Sequence, residues 1–154
     1  MRFSIATTLL LTLASATASA QAAMHGAPEP KWGPAPAVFP AGAQMAVMQG
    51  DPSKAALFTI RLRMPSGYAI APHTHPTDEH VTVIAGTFKV GMGKKVEKAN
   101  MLTLNAGGFV TAPANEAHYA QAQGPTIVQV HAMGPFAMTY VNPADLPRPG
   151  VEKK

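Results

Sequence analysis

The chain has 154 residues, with 12 Lys and Arg against 8 Asp and Glu and a formal net charge of +4. This length favours a single domain. The absence of cysteine excludes a thiol nucleophile, disulfides and thiolate metal sites. Glu97 interrupts the main lysine cluster of Lys94, Lys95 and Lys98, and a nucleic-acid site needs a basic stripe. We therefore predict no nucleic-acid partner.

The first 20 residues are predicted to be a signal peptide that is cleaved before Gln21. Arg2 precedes a short, Leu-rich apolar stretch at residues 5–14, and Ala18-Ser19-Ala20 has the pattern of a cleavage site. The competing interpretation is a membrane anchor, but the stretch is too short and too rich in Ala, Ser and Thr to span a bilayer well. We therefore expect a periplasmic or secreted protein without stable membrane insertion. The lack of cysteine agrees with export.

Residues 21–43 are rich in Pro, Ala and Gly and are predicted to form an extended N-terminal arm. Trp32 and Phe39 are its large aromatic residues. Two interpretations stay open: Trp32 docks the arm on the domain or on a neighbouring subunit, or the arm is loosely ordered. The main domain is predicted at residues 44–142, and residues 143–154 form a C-terminal tail.

Short strands separated by Gly and Pro follow the arm. Apolar residues alternate with Thr and Arg over residues 58–64, which is typical of a half-buried strand. Further strands are predicted at residues 68–75, 79–85, 87–90, 109–112, 117–121, 126–132 and 136–141, with one helical turn at 97–101. Regularly spaced short strands without a long helix indicate an all-β sandwich or barrel.

Four side chains are predicted to form a metal site. His73 and His75 are two residues apart, so both imidazoles point to one face of a strand. Glu79 keeps the same parity after a turn at 76–78, and His118 comes from another strand. Three imidazoles and one carboxylate suit one divalent transition metal ion (Mn, Fe, Co, Ni, Cu or Zn) and leave positions open for water or substrate.

The chain resembles the cupin superfamily, and in particular its small single-domain bacterial members. The first cupin motif is Gly, five residues, His-x-His, three or four residues, Glu, six residues and Gly. Gly67, His73, His75, Glu79 and Gly86 meet it with the expected spacing.

The second cupin motif is Gly, five residues, Pro-x-Gly, two residues, His, three residues and Asn. Gly107, Pro113 and His118 match it in register. Asn115 replaces the second Gly, a mild departure because Asn tolerates the left-handed conformation. Ala122 stands where the motif has Asn, which puts a local hydrogen bond in doubt.

The resemblance implies a double-stranded β-helix, or jelly-roll barrel, of two antiparallel sheets with the metal near one mouth. It implies His73, His75, Glu79 and His118 as the metal ligands. It also implies a homodimer that pairs through a sheet face or the arm.

Three further polar residues, His80, Gln129 and His131, lie on predicted strands near the site. His80 has the opposite parity from Glu79 and is expected to face away. Gln129 and His131 share one face of their strand, which either points outside or lines the pocket.

Small side chains beside the ligands are expected to leave a cavity next to the metal. By parity, Ala69 and Ala71 share a face with His73 and His75, and Ala120 shares one with His118.

Two functions remain open from the sequence. The resemblance favours a metal-dependent oxidoreductase of dioxygenase type that acts on a small organic substrate, with Glu79 as the catalytic residue that shifts or accepts a proton. The alternative is a non-catalytic cupin that binds or senses a metal or a small ligand. Isomerase or decarboxylase chemistry also occurs among cupins, but it calls for more charged pocket residues than this chain offers.

Overall fold

The computed structural model describes residues 29–147. The predicted signal peptide, His25, the first part of the arm and the end of the tail lie outside the described residues. Within this range the chain forms eleven strands and two 3₁₀ turns. The strands are β1 (Gly33–Pro34), β2 (Gln44–Gln49), β3 (Leu57–Met64), β4 (Ala69–Thr74), β5 (Glu79–Ala85), β6 (Thr87–Met92), β7 (Leu102–Asn105), β8 (Phe109–Ala112), β9 (His118–Ala122), β10 (Thr126–Met133) and β11 (Thr139–Tyr140). The 3₁₀ turns are Lys98–Asn100 and Pro143–Asp145.

The strands form two antiparallel sheets. The six-stranded sheet has the order β1-β2-β3-β10-β5-β8, and the five-stranded sheet has the order β11-β4-β9-β6-β7. Every paired neighbour is antiparallel. The predicted all-β jelly roll of two antiparallel sheets is confirmed.

The hydrophobic core lies between the sheets, and the alternation of β3 places it there. Phe58, Ile60 and Met64 are almost completely buried, whereas Arg61 and Arg63 lie on the outer face. Across the ladder, the inward residues of β3 face those of β10, so the apolar period of two on both strands builds one continuous layer.

Four strands differ from the prediction, including the two-residue β1 in the arm. Residues 136–141 were expected to be one strand, but only Thr139–Tyr140 pairs, because the Phe136 amide donates to the Pro52 carbonyl in a loop rather than to a ladder. The short strands β2 and β7 were not predicted, since four to six residues with Gln, Thr and Asn carry little apolar alternation. The predicted turn at 97–101 is observed as the first 3₁₀ turn.

A bulge in β4 overturns the predicted parity of its alanines. Ile70 pairs with Ala120 and His73 pairs with His118, so β4 uses three steps where β9 uses two. The extra residue puts Ile70 on the same face as His73. Ala69 is instead exposed, so the expectation that it flanks the ligands is wrong, whereas Ala71 is partly buried against the core.

The described part of the arm, residues 29–43, packs on the barrel. Gly33 and Pro34 extend the six-stranded sheet by pairing with β2. The Arg63 guanidinium lies 4.5 Å from the centre of the Trp32 ring, a cation–π contact on the outer face. Trp32 therefore docks the arm on the domain. No helix among residues 29–147 has the length and apolar character needed to cross a bilayer.

Candidate metal centre

Three histidines that are distant in sequence meet inside the barrel. His73 on β4 and His118 on β9 are direct partners in the ladder, and His75 follows the end of β4. One nitrogen from each ring lies within 4.8 Å of the other two. The three residues are only 2–4% exposed. The predicted convergence of these imidazoles is what the structure shows.

Hydrogen bonds to backbone carbonyls determine which ring nitrogen faces the cluster. The Nδ1 atoms of His73, His75 and His118 contact the carbonyl oxygens of Ala71 at 2.7 Å, Ala137 at 2.7 Å and Glu116 at 3.1 Å, respectively. A carbonyl oxygen only accepts, so each Nδ1 must carry a hydrogen. In the neutral ring Nε2 then has a free lone pair, which is the arrangement of metal-binding histidines.

The donor set fits a divalent cation. The Nε2 atoms of His75 and His118 are buried and have no hydrogen-bond partner. A buried polar atom without a partner costs about 1–3 kcal/mol. Coordination of one metal ion by these nitrogens would remove that cost, and imidazole suits the divalent transition metals.

Glu79 lies beside the three histidines at the start of β5. Its carboxylate oxygens are 3.7 Å from His75 Nε2 and 3.4 Å from His118 Nε2. The tight group of three nitrogens does not include this carboxylate, so the assignment of Glu79 as fourth ligand and catalytic residue stays a prediction. Its side chain is 14% exposed, compared with 4–5% for the neighbouring imidazoles.

The carboxylate and the imidazoles shift each other's pKa values. Burial, with a smaller contribution from the charge of His118, lowers the pKa of His73 to about 3. Burial alone would lower the pKa of His118, but the negative charge of the Glu79 carboxylate, 3.4 Å from His118 Nε2, outweighs burial and raises that pKa. Burial alone would raise the pKa of Glu79, but His118 and the other imidazoles outweigh it and lower that pKa. Without metal, these opposite shifts favour an ionised Glu79 beside a protonated His118, while His73 is neutral.

The loop before β9 is tied to the site by backbone hydrogen bonds. Asn115 has a φ of +62°, which confirms the prediction that it takes the left-handed conformation of the motif's glycine. In this conformation its amide donates to the His75 carbonyl at 2.8 Å. The adjacent Ala114 amide donates to Oδ1 of Asp78 at 2.8 Å. The loop thus binds the backbone of His75, just before the turn at 76–78, and the side chain of Asp78, at its end.

A narrow cavity between the sheets reaches the site. Apart from His73, Glu79 and His118, the side chains that line it are apolar, and they include Ile70, Ala120, Phe39 and Met138. The cavity has a volume of about 30 Å³, which is room for one or two water molecules. Ala120 lies where the sequence predicted, and Ile70 takes the place expected for the β4 alanines.

The remaining histidines of the described chain face outward. His80 is hydrogen-bonded to the Thr111 hydroxyl at 3.0 Å and stacks on Phe109, as its parity predicted. His131 is hydrogen-bonded to Thr59 and to Gln129 on the outer face of the six-stranded sheet. Val128 and Val130 take the inward positions, so Gln129 and His131 do not line the pocket.

Sequence reasoning missed the segment that supports His75. Ala137 supplies the carbonyl for His75 Nδ1, and the Phe136 ring lies 5.3 Å from the His75 ring. No spacing motif marks a backbone carbonyl or a packing contact between residues this far apart. Phe39 was placed in an arm outside the barrel, yet it is 5% exposed and belongs to the core.

Solved structures share this fold at low sequence identity. A proposed acetylacetone dioxygenase from Methylibium petroleiphilum is 20% identical over 83% of this chain and 88% of its own, with a TM-score of 0.61. The polyketide cyclase RemF from Streptomyces resistomycificus is 15% identical over 81% and 90%, with a TM-score of 0.63. An RmlC-like cupin from Shewanella frigidimarina is 15% identical over 69% and 86%, with a TM-score of 0.52. These likenesses bear on the fold.

No curated protein matches the chain in sequence. The profile of one family, the ChrR cupin-like domain, matches residues 20–137. This match spans most of the 154 residues and contains the three clustered histidines, Glu79 and both cupin motifs. The chain therefore belongs to the ChrR cupin-like domain family of the cupins.

Proposed function

We propose that the chain is a mononuclear metal-binding cupin that catalyses a dioxygenase-type oxidation of a small organic substrate. One observation carries the proposal: two of the three clustered imidazoles present buried Nε2 atoms without any hydrogen-bond partner, beside a carboxylate. Three nitrogens and one oxygen leave positions open on an octahedral ion.

The chemistry divides between the metal and the chain. When bound, a divalent transition metal supplies Lewis acidity and, for a redox-active ion, electrons for reaction with dioxygen. His73, His75 and His118 hold it through Nε2, with their orientation set by Nδ1 hydrogen bonds. Glu79 is the most exposed of the four side chains, and its carboxylate lies 3.4 Å from His118 Nε2. We assign to Glu79 the acceptance of a substrate proton at its carboxylate.

The lining of the cavity supports a class of substrate. A divalent ion with one carboxylate and three neutral imidazoles carries a net charge of about +1, and buried charge is stable when it is paired. The other lining side chains are apolar and include no Lys or Arg. A small monoanion with oxygen donors and an apolar remainder satisfies both conditions. The cavity itself has room for only one or two water molecules, so enolisable diketones and phenols are probes whose binding requires the lining side chains to move.

Metal analysis followed by oxygen uptake tests the proposal. Purified protein is assayed for bound metal and then for oxygen consumption with a panel of small phenols, diketones and thiols. We expect His75→Ala to lower oxygen uptake by more than the about 10- to 100-fold typical of a residue that only supports a ligand. His80→Ala, which changes a histidine on the outer face, is the matched control. Wild-type protein that retains no metal would contradict the proposal.

A binding or sensing cupin is the second candidate. Among the residues lining the cavity, only His73, Glu79 and His118 are titratable, so the cavity holds no acid or base beyond the site itself. This favours a protein that binds a metal or small ligand without turnover. Tight metal retention with no oxygen uptake across the panel would support this candidate over the dioxygenase-type enzyme.

We also propose export to the periplasm or the outside of the cell. The proposal rests on the amino-acid pattern of residues 1–20. Expression of the full chain in a bacterium, followed by cell fractionation and intact-mass measurement, tests it. A periplasmic product that begins at Gln21 is expected, and a cytoplasmic product with the full-length mass would contradict it.

A further inference from the structure

The three imidazoles of the site are not held in the same way. His73 and His118 each contact a carbonyl two residues earlier in the chain through Nδ1. His75 instead contacts the Ala137 carbonyl, 62 residues further along the chain. A partner two residues away forms with the local backbone, whereas the partner of His75 depends on the docking of a distant segment.

That segment is the loop between β10 and β11, residues 134–138, and it passes beside His75. The Gly134 amide donates to the Ala56 carbonyl at 3.0 Å, and the Phe136 amide donates to the Pro52 carbonyl at 2.7 Å. The Phe136 ring lies 5.3 Å from the His75 ring. The same loop therefore contacts both the ring and the Nδ1 atom of His75.

The N-terminal arm packs against this loop and its continuation. The Phe39 ring stacks on Phe136, with centroids 5.8 Å apart and planes within 10°. The Tyr140 hydroxyl donates to the Val38 carbonyl at 2.8 Å, and its ring lies 6.0 Å from that of His73. The arm thus reaches two of the three histidines through two aromatic side chains.

We propose that Phe39, Phe136 and Tyr140 form an aromatic clasp: the Tyr140 hydroxyl anchors the arm at Val38, and Phe39 presses on Phe136, which holds His75 in its metal-binding orientation. The inference rests on the proposed metal site and adds to it a means of control. The three residues act as positioning residues through the histidines. Any change that lifts residues 36–40 from the barrel is expected to weaken metal binding.

The physical reason is the tautomer of His75. With the Ala137 carbonyl in place, the neutral ring keeps its hydrogen on Nδ1 and its lone pair on Nε2. Without that carbonyl, the hydrogen can move to Nε2 and the ring can rotate, so the bound arrangement has to be restored when metal binds. Loss of a group that orients a ligand typically costs about 10- to 100-fold in metal affinity.

The experiment compares variants of the full chain in two measurements. Phe39→Ala and Phe136→Ala open the clasp, whereas Phe109→Ala removes a ring stacked 6.2 Å from His80, a histidine outside the site. The first measurement is Co²⁺ affinity by titration. The second is the ring tautomer of His75 in the metal-free protein, read from nitrogen-15 NMR shifts.

We expect the two clasp variants to weaken Co²⁺ binding about 10- to 100-fold and to lose the single Nδ1–H form of His75. Phe109→Ala should change neither quantity. Phe39→Leu, which keeps apolar volume at the arm, should recover most of the affinity lost in Phe39→Ala. Tyr140→Phe, which removes only the hydroxyl bonded to Val38, should weaken Co²⁺ binding less than Phe136→Ala does.

The outcomes separate this inference from the proposed function. Wild-type protein that binds no Co²⁺ would contradict the metal site, while the His75 tautomer of the metal-free variants would still decide the clasp. Clasp variants that match Phe109→Ala in both measurements would overturn the clasp. Weaker Co²⁺ binding with an unchanged His75 tautomer would also overturn it, because the effect would then not act through His75. Should Phe136→Ala not fold, Phe39→Ala and its rescue by Phe39→Leu carry the same comparison.

Discussion

His73 and His118 are opposite residues of β4 and β9, yet their pKa values move in opposite directions. Burial dominates at His73, and the nearby charge of His118 adds to it. At His118 the Glu79 carboxylate, 3.4 Å away, outweighs burial. The position of one carboxylate thus decides which imidazole holds a proton before metal binds.

Metal binding at this site must displace the proton on His118. We expect metal affinity to rise as pH rises through the raised pKa of His118, because an imidazole nitrogen binds metal only when deprotonated. Glu79→Gln removes the charge that stabilises the imidazolium, so the pKa of His118 falls. The pH midpoint of metal binding should then move to lower pH, although affinity at high pH weakens. Metal titrations from about pH 5 to about pH 8 measure this.

His80→Gln provides the control for that experiment. His80 lies on the outer face, where its ring is hydrogen-bonded to the Thr111 hydroxyl and points away from the metal site. Its pH midpoint should equal that of the wild type. An unchanged midpoint in Glu79→Gln would mean that another group provides the titration.

At the scale of elements, the turn before β9 depends on one non-glycine residue with positive φ. Asn115, at +62°, directs its amide to the His75 carbonyl. Asn115→Val should lower the free energy of unfolding by at least the roughly 1–2 kcal/mol that a left-handed conformation costs, because a β-branched residue fits this region poorly. Asn115→Gly should be close to the wild type. Urea unfolding of both variants measures this, and equal stability of the Val and Gly variants would contradict the role given to the turn.

At the scale of the whole molecule, stability comes from the layer between the two sheets. Phe58 is completely buried there and meets Phe136 edge to face at 6.1 Å. Phe58→Ala should lower the free energy of unfolding by about 3–5 kcal/mol, through lost burial and the cavity left behind. Phe109, 56% exposed, provides the matched control, and Phe109→Ala should stay within about 0.5 kcal/mol of the wild type. Similar losses in thermal or urea unfolding of the two variants would place the core elsewhere.

Residue patterns along the chain were enough to predict the all-β class, the inward face of β3 and the convergence of the three histidines. These follow from period-two alternation and from motif spacing, which are local properties of the chain. The left-handed turn at Asn115 was also predictable, because it depends on the residue's own backbone preference.

Three other features of the site depend on how distant segments pack and could not be predicted from local patterns. The bulge that turns Ile70 toward His73 depends on how β4 pairs with β9. A single extra residue in a strand moves the side chains on one side of the bulge to the opposite face relative to those on the other side. Gln129 and His131 could not be assigned to a face until Val128 and Val130 were seen to fill the core. The contacts of Phe39, Phe136 and Ala137 with the site join segments far apart along the chain, and no local pattern encodes a distance between such segments.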